Sequence, residues 1–389
     1  MIMSRVLLGD IASERKESIK GDKTGYPIVG LEHIVPGQIK LTTWDSDSNN
    51  SFSKLFRKGD VLFGRRRAYL KKAAEAPFDG ICSGDITVIT PNAEMIIDGL
   101  LPFIIQNDRL FDFAVGKSAG SLSPRVKWDN LKNYPINIPD KEQQPALLEL
   151  LEAIESECEA CSNALAAAAE LKASYLDAVF QQKIRFRDDS GEPFALWPII
   201  KLERFADKLS RKNTGNQTER ALTISALDGL VDQKDYFDKT IASKDMSNYY
   251  LLHRGEFAYN KSYSIGYPVG SIKRLDLYDE GALSNLYICF SLKPGFDSDY
   301  IKYYFESSCW YDIIYKIVEE GARAHGLLNV SKKEFFETEH RLSINEDEQR
   351  MIVESIKKLE PPIEALKNKL TNIQKMRQAI LDERINANV

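Results

Sequence analysis

The residues best equipped for chemistry lie in a basic run at residues 54–72, KLFRKGDVLFGRRRAYLKK. It holds eight basic residues and one acid, Asp60, in a chain whose formal net charge is −5. A guanidinium fork can bind phosphate, or guanine O6 and N7, through two parallel hydrogen bonds. A solvated surface strand and turn is the alternative interpretation. The predicted nucleic-acid contacts in this run are Arg65, Arg66, Arg67, Tyr69, Lys71 and Lys72.

A second candidate segment, at residues 116–121, combines small residues with a lysine and is followed by further cations. Small residues let the backbone approach a phosphate closely, and a nearby cation can pair with it. The segment is not a nucleotide-binding P-loop, because Phe111 stands where that motif needs its first glycine. An ordinary glycine-rich turn is the alternative. The predicted contacts here are Lys117, Ser118, Arg125 and Lys127.

No catalytic or metal-binding arrangement stands out in the sequence. Cys158 and Cys161 form a lone CxxC pair, and no second pair completes a zinc site, so we interpret them as small core residues. The four histidines have no ligand spacing, and the GxSxG, GxGxxG and adenine-methyltransferase motifs are missing. We therefore predict a protein that binds rather than catalyses, with no metal ion and no cofactor of its own.

Composition places the chain among ordinary globular proteins. It has 389 residues, 43% of them hydrophobic and 28% charged, which suits two or three domains. No apolar run approaches the ~20 residues of a membrane span, and no signal peptide is evident. Five cysteines without repeated spacing predict a reduced, cytoplasmic protein. The acidic net charge argues against nucleic acid covering the whole surface but leaves room for a local basic patch.

The elements that must position these residues are written twice. Residues 116–180 align without a gap on residues 321–385 at a constant offset of 205, so that Gln144 falls on Gln349. Earlier in each half the offset is 196. A repeat this long is a duplicated globular domain and not a solenoid unit of roughly 20–50 residues.

The repeat extends the candidate contacts into the second half of the chain. The segment Gly-Arg-Arg-Arg at 64–67 corresponds to Asn-Lys-Ser-Tyr at 260–263. Equivalent positions with different polar side chains are typical of two domains that read different sequences. The predicted contacts in the second half are Lys261, Tyr263, Arg323, His325, Lys332 and Lys333.

Each half begins with a mixed α/β pattern. Strands are predicted at residues 60–64, 85–90, 256–259 and 286–290, and helices at residues 100–115 and 299–318. Residues 133–139 contain two prolines and are predicted to form an extended exit segment.

Each half then ends with apolar residues at alternating spacings of four and three, which is typical of a coiled-coil seam. From Leu147 to Val179 such a helix would be roughly 48 Å long. The one cationic position of the first seam, Lys172, is matched by Arg377 in the second. Two seams of the same phase predict an antiparallel helix pair with a domain at each end. The residues predicted to pack the helices together are Leu147, Leu151, Ile154, Leu165, Ile352, Ile356, Leu359, Ile363, Leu366 and Leu370.

Pro361 and Pro362 conflict with a continuous second helix, because an interior proline costs ~3 kcal/mol or more. We predict a break there, with a short helix at residues 346–359 and a second helix that has proline in its first turn. The counterpart in the first half, Ser156 and Glu157, is predicted to lie in a straight helix.

These patterns predict an α+β fold: two similar α/β domains joined by two long antiparallel coiled-coil helices, with an internal pseudo-two-fold repeat. The predicted boundaries are 1–140 and 188–345 for the domains, and 141–187 and 346–389 for the helices.

In this order the motifs resemble the DNA-specificity subunit of Type I restriction–modification systems, over essentially the whole chain. One part of the resemblance is Gly-Asp-Val-Leu-Phe at 59–63 with its counterpart Gly-Glu-Phe-Ala-Tyr at 255–259. The other part is Lys-Glu-Gln-Gln at 141–144 and Asp-Glu-Gln-Arg at 347–350, ahead of the two heptad helices.

The resemblance implies that each domain is a target recognition domain that reads one half of an asymmetric, interrupted DNA sequence. The helices would set the gap between the halves. Two methyltransferase subunits would dock on this framework and supply S-adenosylmethionine chemistry. Restriction subunits with ATP and Mg would cleave unmodified DNA, and the specificity chain itself would have no enzymatic role.

A protein of a different class is the alternative: a coiled-coil adaptor whose α/β domains bind protein and have no DNA specificity. The acidic net charge fits an adaptor better. Affinity for duplex DNA that falls steeply with salt would distinguish the two, because phosphate binding releases counterions.

Overall fold

The computed structural model describes residues 3–46, 50–237, 245–264, 266–319 and 328–385. The chain divides into two compact units: the first is Met1–Ala164 with Leu366–Val389, and the second is Leu165–Ala365. Each unit therefore combines one α/β domain with parts of both long helices, whereas the predicted boundaries gave each helix a segment of its own.

The first unit begins with nine strands and four short helices in the described part of the chain, and the long helix α5 follows them. The strands are β1 (Met3–Leu7), β2 (Ala12–Glu14), β3 (Ile28–Val29), β4 (Lys54–Phe56), β5 (Val61–Gly64), β6 (Ala73–Glu75), β7 (Gly80–Cys82), β8 (Ile86–Pro91) and β9 (Pro135–Pro139). The helices are α1 (Leu8–Ile11), α2 (Leu100–Ile105), α3 (Asp108–Gly116), α4 (Trp128–Leu131) and α5 (Gln144–Phe180).

The sheets of the first unit are built around the apolar strands β5 and β8. β1 pairs antiparallel with β9, a four-stranded sheet has the order β2-β8-β5-β6, and a three-stranded sheet has the order β3-β7-β4. Successive side chains of a strand point to opposite faces. Accordingly, Val61 and Phe63 pack with the residues of α2 and α3, while Leu62 packs with Val29 and Phe56 from the other sheet. The end of β5 is thus held rigidly, which matters because Arg65 follows it.

The second unit repeats this order of elements. Its strands are β10 (Ile199–Lys201), β11 (Ala206–Lys208), β12 (Ala221–Ser225), β13 (Gly229–Asp232), β14 (Tyr250–His253), β15 (Phe257–Asn260), β16 (Ser271–Arg274), β17 (Glu280–Leu283), β18 (Ile288–Leu292) and β19 (Glu339–Arg341). Its helices are α6 (Leu202–Phe205), α7 (Gln233–Phe237), α8 (Ser298–Glu306), α9 (Tyr311–Glu319), α10 (Lys332–Glu337) and α11 (Glu346–Lys357), and α12 (Glu360–Arg384) follows them.

The sheet orders confirm the predicted α+β class and the internal repeat. In the second unit they are β10-β19, β11-β18-β15-β16 and β13-β12-β17-β14. These match the three sheets of the first unit strand for strand, with β13 added at one edge. The four predicted strands appear as β5, β8, β15 and β18, and the predicted exit segment is β9.

The helix pair is antiparallel within the first unit. Leu147 and Leu151, near the start of α5, share a buried cluster with Leu381 and Ile385, at the end of α12. Further along α5, the Cys161 thiol contacts the Leu366 carbonyl oxygen near the start of α12. Residue numbers thus rise along one helix while they fall along the other.

The second unit repeats this arrangement with the other ends of the helices. Leu176 and Phe180, at the end of α5, pack with Ile352 and Ile356 of α11. Each of these residues lies 205 positions from its counterpart in the first unit. The two units therefore use one packing scheme with the helices exchanged.

Among the residues predicted to pack the helices, five are buried: Leu147, Leu151, Ile154, Ile352 and Ile356. The other five are half-buried: Leu165, Leu359, Ile363, Leu366 and Leu370. Cys158 and Cys161 are free thiols in a buried cluster with Ile154 and Ile373, so they lie in the core of the first unit, as predicted.

The single helices predicted at residues 100–115 and 299–318 are wrong, because each is two helices. In the first, Gln106 donates to the Gln38 and Ala73 carbonyl oxygens, and the Asn107 side chain accepts from the Arg109 amide to begin α3. In the second, Ser307 and Trp310 donate side-chain hydrogen bonds to carbonyl oxygens of α8. Polar residues thus mark both breaks, and they also interrupt the apolar pattern, at 106–109 and at 306–308.

The predicted break at Pro361 and Pro362 is confirmed. Helix α11 ends at Lys357 and α12 begins at Glu360, which places both prolines in its first turn. A proline there loses no helical hydrogen bond, because the first amides of a helix have no partner within it. Helix α5 runs without interruption through the equivalent positions. No helix of the described residues is long and apolar enough to cross a membrane.

Candidate nucleic-acid interface

The two basic segments predicted in the first half lie side by side. Strand β5 ends at Gly64, and the arginines after it pair with the chain that follows the glycine-rich segment. The Val126 amide donates to the Arg65 carbonyl oxygen at 3.0 Å, and the Arg67 amide donates to the Pro124 carbonyl oxygen at 2.9 Å. Two candidate sites in the sequence are therefore one site in the fold.

A carboxylate and a hydroxyl hold the arginines of this site. The Asp85 carboxylate accepts from Arg125 Nε at 2.7 Å and from Arg66 Nη1 at 3.3 Å. The Ser123 hydroxyl accepts from Arg66 Nε at 3.3 Å and from Arg66 Nη2 at 3.1 Å. We call Arg66, Asp85, Ser123 and Arg125 the arginine cluster. It carries two cations and one anion, so it keeps a net positive charge.

The arginines also act on Asp85. The hydrogen bond from Arg125 lowers the pKa of Asp85 most, and partial burial opposes this shift. The charge of Arg125 and the hydrogen bond and charge of Arg66 lower it further, so the pKa lies below the usual value for an aspartate. Asp85 is therefore ionised at neutral pH and orients both guanidinium groups. The side chains of Arg66 and Arg125 are 39% and 44% exposed, so the cluster lies open to a ligand. Sequence reasoning missed Asp85 and Ser123; Asp85 was the first residue of the strand predicted at 85–90, and the pairing of that strand with β5 appears only in the fold.

Two cations bracket a tight turn beyond the cluster. Arg67 and Lys71 have φ values of 54° and 51°, in the left-handed region that non-glycine residues rarely adopt. Between them a single helical turn carries Tyr69, whose side chain is 55% exposed. Arg67 is also exposed. Strained backbone of this kind is frequent at binding sites, where the surrounding structure has to stabilise it.

The two lysines that end the basic run have partners in the same domain, although Lys71 stays 43% exposed. Lys71 Nζ lies 2.7 Å from an Asp108 carboxylate oxygen, and Lys72 Nζ donates to the Leu31 carbonyl oxygen at 2.6 Å. Both lysines thus have partners within the domain. Arg66, Arg67 and Tyr69 are the members of the run that face outward next to Arg125.

The glycine-rich segment supplies mixed roles. The Ser118 hydroxyl donates to the Ala114 carbonyl oxygen at 2.8 Å and so closes the end of α3. Lys117 is exposed, with its Nζ 5.7 Å from the centre of the Phe113 ring. Lys127 is exposed directly before α4. The two lysines extend positive charge along the same stretch of chain as Arg125.

The second unit makes the equivalent pairing with different side chains. Lys261 follows β15, and its carbonyl oxygen accepts from the Leu328 amide at 3.0 Å. Lys261 Nζ donates to the Val330 carbonyl oxygen at 3.1 Å. Burial and the nearby charge of Lys332 lower the pKa of Lys261. Arg323 and His325 lie outside the described residues.

Lysines and tyrosines replace the arginine cluster at this second site. Lys332 Nζ contacts the Tyr250 hydroxyl, and Lys212 Nζ lies 3.9 Å from the centre of the same ring. Tyr263 is 60% exposed. Lys333 is exposed, with its Nζ 3.8 Å from a Glu337 carboxylate oxygen. The two units therefore present different chemistry at equivalent strand ends.

Nothing at either site resembles a metal centre. In the residues that the structure describes, no group of three or more His, Cys, Asp or Glu side chains could hold a metal ion. The sites consist of cations, hydroxyls and aromatic rings on strand ends and turns, which suits contacts with phosphates and base edges.

A family model matches the first part of this chain. Residues 6–170 match the family model of the Type I restriction modification DNA specificity domain. This range covers the α/β domain of the first unit and most of α5. Residues 6–170 are thus similar to a Type I DNA specificity domain.

The individual relatives point the same way. The chain is 26% identical over 231 residues to the EcoDI specificity subunit of Escherichia coli, across 53% of this chain and 50% of that protein. It is 25% identical over 113 residues to the HindI specificity subunit of Haemophilus influenzae, across 27% of this chain and 24% of that protein. The chain thus matches about half the length of the first relative. The predicted resemblance to specificity subunits of Type I restriction enzymes is confirmed.

One solved structure shares the fold over the full length. It is a chain from a Type I restriction–modification system studied for complex assembly and conformational transition. The likeness covers 100% of this chain and 98% of that chain, with a TM-score of 0.53 and 19% sequence identity. At this identity the likeness concerns the fold alone.

Proposed function

We propose that this chain is a DNA-specificity subunit that binds a bipartite, asymmetric target in duplex DNA, one half with each unit. The observation that carries the proposal is the pair of equivalent strand-end sites, built on a duplicated domain and equipped with different polar side chains. A symmetric target would need the same side chains in both copies. Different side chains on one scaffold suit two unrelated half-sequences.

The geometry of the arginine cluster supports base readout in the first half. Arg66 and Arg125 are held in fixed orientations by Asp85 and Ser123, and a fixed guanidinium can select guanine through O6 and N7. The exposed Arg67, Lys117 and Lys127 around the cluster suit phosphate contacts, which set register without reading sequence.

The partners follow from the same proposal. Two methyltransferase subunits dock on this chain and modify adenine with S-adenosylmethionine, and restriction subunits with ATP and Mg cleave unmodified DNA. The chain itself contributes recognition and no catalysis, and it works in the cytoplasm. Support comes from its relatives, which are named as specificity subunits of Type I restriction enzymes.

A salt titration separates this function from that of a protein-binding adaptor. The full chain, co-expressed with a candidate adenine methyltransferase subunit, is titrated with a labelled duplex at several salt concentrations. Phosphate binding predicts that log K falls linearly with log[salt], with a slope of about −0.9 for each phosphate contacted. Binding that is absent at low salt, or that does not change with salt, would favour the adaptor.

A further inference from the structure

A short closed loop stands beside the arginine cluster. The Ala119 amide donates to the Arg125 carbonyl oxygen at 3.0 Å, and the Arg125 amide donates back to the Ala119 carbonyl oxygen at 2.9 Å. These two bonds close a loop of five residues, 120–124. Gly120 begins it with a φ of +114°, a conformation that suits glycine. The bonds between Ser123 and Arg66 fix its far side to the cluster.

The tip of this loop displays a leucine. Leu122 is 91% exposed, the highest value among the large apolar side chains of the described residues. Single exposed leucines are ordinary on protein surfaces, so the exposure of Leu122 matters only through its position. This one is held on a loop closed at both ends, so it cannot fold back into the core. It is therefore presented at a fixed position next to Arg66 and Arg125.

An apolar side chain between cations matches one known mode of DNA contact. Proteins that bend DNA from the minor groove insert a leucine or a similar side chain between base pairs, partly unstack them, and kink the duplex. The insertion buries the apolar side chain, and neighbouring cations hold the phosphates on either side. Loop 120–124 provides both parts, since Leu122 protrudes while the guanidinium groups of the cluster lie at its base.

We propose that Leu122 is a wedge that inserts between two base pairs of the first half-site and distorts the duplex there. This inference rests on the proposed function and deepens it, because it assigns a shape-reading element to the first unit. The arginine cluster holds the flanking phosphates or base edges while the leucine unstacks one step. The unit would then prefer a flexible pyrimidine–purine step at that position, because such steps unstack at low cost.

The test uses the full chain with its methyltransferase subunit and a duplex that carries the selected target. 2-Aminopurine is placed in turn at each position of the first half-site, because its fluorescence rises when stacking is lost. The natural chain should raise the fluorescence at one step. Leu122→Ala should abolish this rise and weaken binding on the order of tenfold, since the buried leucine surface is lost. The slope of affinity against salt should not change, because no cation is removed.

Two further variants make the result specific. Leu122→Met keeps a long apolar side chain and should retain the fluorescence rise. Leu277→Ala is the matched control, because Leu277 is also an exposed leucine, at 59%. It follows Arg274, which pairs with the start of β15, whereas Lys261 follows the other end of β15. It should leave both fluorescence and affinity unchanged.

Two outcomes would overturn the wedge while leaving the proposed function intact. One is a Leu122→Ala chain that binds DNA and raises the fluorescence as the natural chain does. The other is a Leu122→Ala chain that binds DNA normally but loses the methyltransferase subunit, which would make Leu122 a protein contact. If the natural chain shows no salt-dependent binding to duplex DNA, the proposed function fails, and the wedge with it.

Discussion

Gln144 and Gln349 make the same three hydrogen bonds, each within its own unit. Gln144 Oε1 accepts from the Ile97 amide, and its Nε2 donates to the Met95 and Pro139 carbonyl oxygens. Gln349 Oε1 accepts from the Asp297 amide, and its Nε2 donates to the Gly295 and Ser343 carbonyl oxygens. Both side chains are buried. In each unit one amide thus ties the start of a helix to two separate segments of its domain.

Replacement of either glutamine by methionine should destabilise its unit strongly. Gln144→Met or Gln349→Met keeps the shape but leaves three backbone groups without their partner, and each such group costs about 1–3 kcal/mol when buried. We expect a loss of about 3 kcal/mol or more in the free energy of unfolding, measured by urea denaturation. Gln181→Met is a control, because this residue is exposed beyond the end of α5. A loss below about 1 kcal/mol would show that the three hydrogen bonds of the glutamine contribute little to stability.

The seam cations Lys172 and Arg377 also have equivalent partners. Arg377 donates to Glu155 and to the Gly37 carbonyl oxygen, while Lys172 lies 3.1 Å from both Glu306 and Glu360. Glu155 and Glu360 are themselves 205 positions apart. The repeat has therefore preserved an ion pair as well as an apolar seam.

Removal of Arg377 should cost more than removal of Lys172. Burial raises the pKa of Glu155, and Arg377 opposes that shift, so loss of the arginine leaves the carboxylate in a poor environment. Breaking a buried pair costs about 3–5 kcal/mol, and replacing both partners with apolar residues restores much of it. Side-chain exposure is 4% for Arg377 and 19% for Lys172, which favours the larger loss at Arg377. A double-mutant cycle of Arg377→Met with Glu155→Leu measures the coupling energy of this pair. Losses that simply add would contradict a coupled, buried ion pair.

Asp85→Ala should change the way in which the chain binds DNA. The variant removes the one anion of the arginine cluster, so Arg66 and Arg125 gain freedom and local charge. Affinity for unrelated duplexes should rise, and the salt slope should steepen by about one unit, while discrimination against mismatched targets falls. Asp279→Ala removes a carboxylate that is 92% exposed in the second unit and serves as the control. If the two variants change affinity, salt slope and discrimination equally, the change follows from net charge, and the proposed role of Asp85 in orienting the arginines is contradicted.

Acid should weaken the second unit through His340. Burial lowers the pKa of His340 to about 3 from an ordinary value of 6.5, and its ring contacts Tyr304 and Thr338. The native state therefore binds fewer protons than the unfolded state between these values. Stability from neutral His340 is complete above pH 6.5 and is lost as the pH falls toward 3. From pH 6.5 to 4.5 the loss should be about 2 kcal/mol.

The buried Trp197 and Trp310 report unfolding of the second unit by fluorescence. The control is His340→Ile, because the fold makes Ile136 the equivalent residue of the first unit, one position from the residue that the sequence offset of 205 gives. Ile136 pairs with Val6 as His340 pairs with Ile200. This variant should be less stable at pH 7 yet lose less on acidification. An equal acid loss in both chains would remove His340 as its cause.

The sequence predicted the parts of the fold that local patterns determine. The heptad spacing, the duplicated strands and the break at Pro361 all follow from period and from backbone chemistry, and all are present. The two broken helices were missed although polar residues at 106–109 and 306–308 interrupt the apolar pattern at each break. Asn107, which caps α3, is of a residue type that favours a helix start, so this signal was available.

The site was predictable in its residue types but not in its geometry. The arginines after β5 and the cations after the glycine-rich segment could be read separately from the chain. Their union depends on a pairing across 60 residues, between Arg65 and Val126, that no local signal shows. The contacts of Lys71 and Lys72 depend in the same way on the distant partners Asp108 and Leu31. Which predicted contacts touch DNA stays a prediction.

Selection from random duplex DNA tests the central claim most directly. The full chain is co-expressed with a candidate adenine methyltransferase subunit, the complex is captured, and the bound pool is sequenced. Two similar units with different side chains at their strand ends predict two short, different motifs at one fixed gap. A single motif, or no enrichment even at low salt, would contradict recognition of a bipartite target.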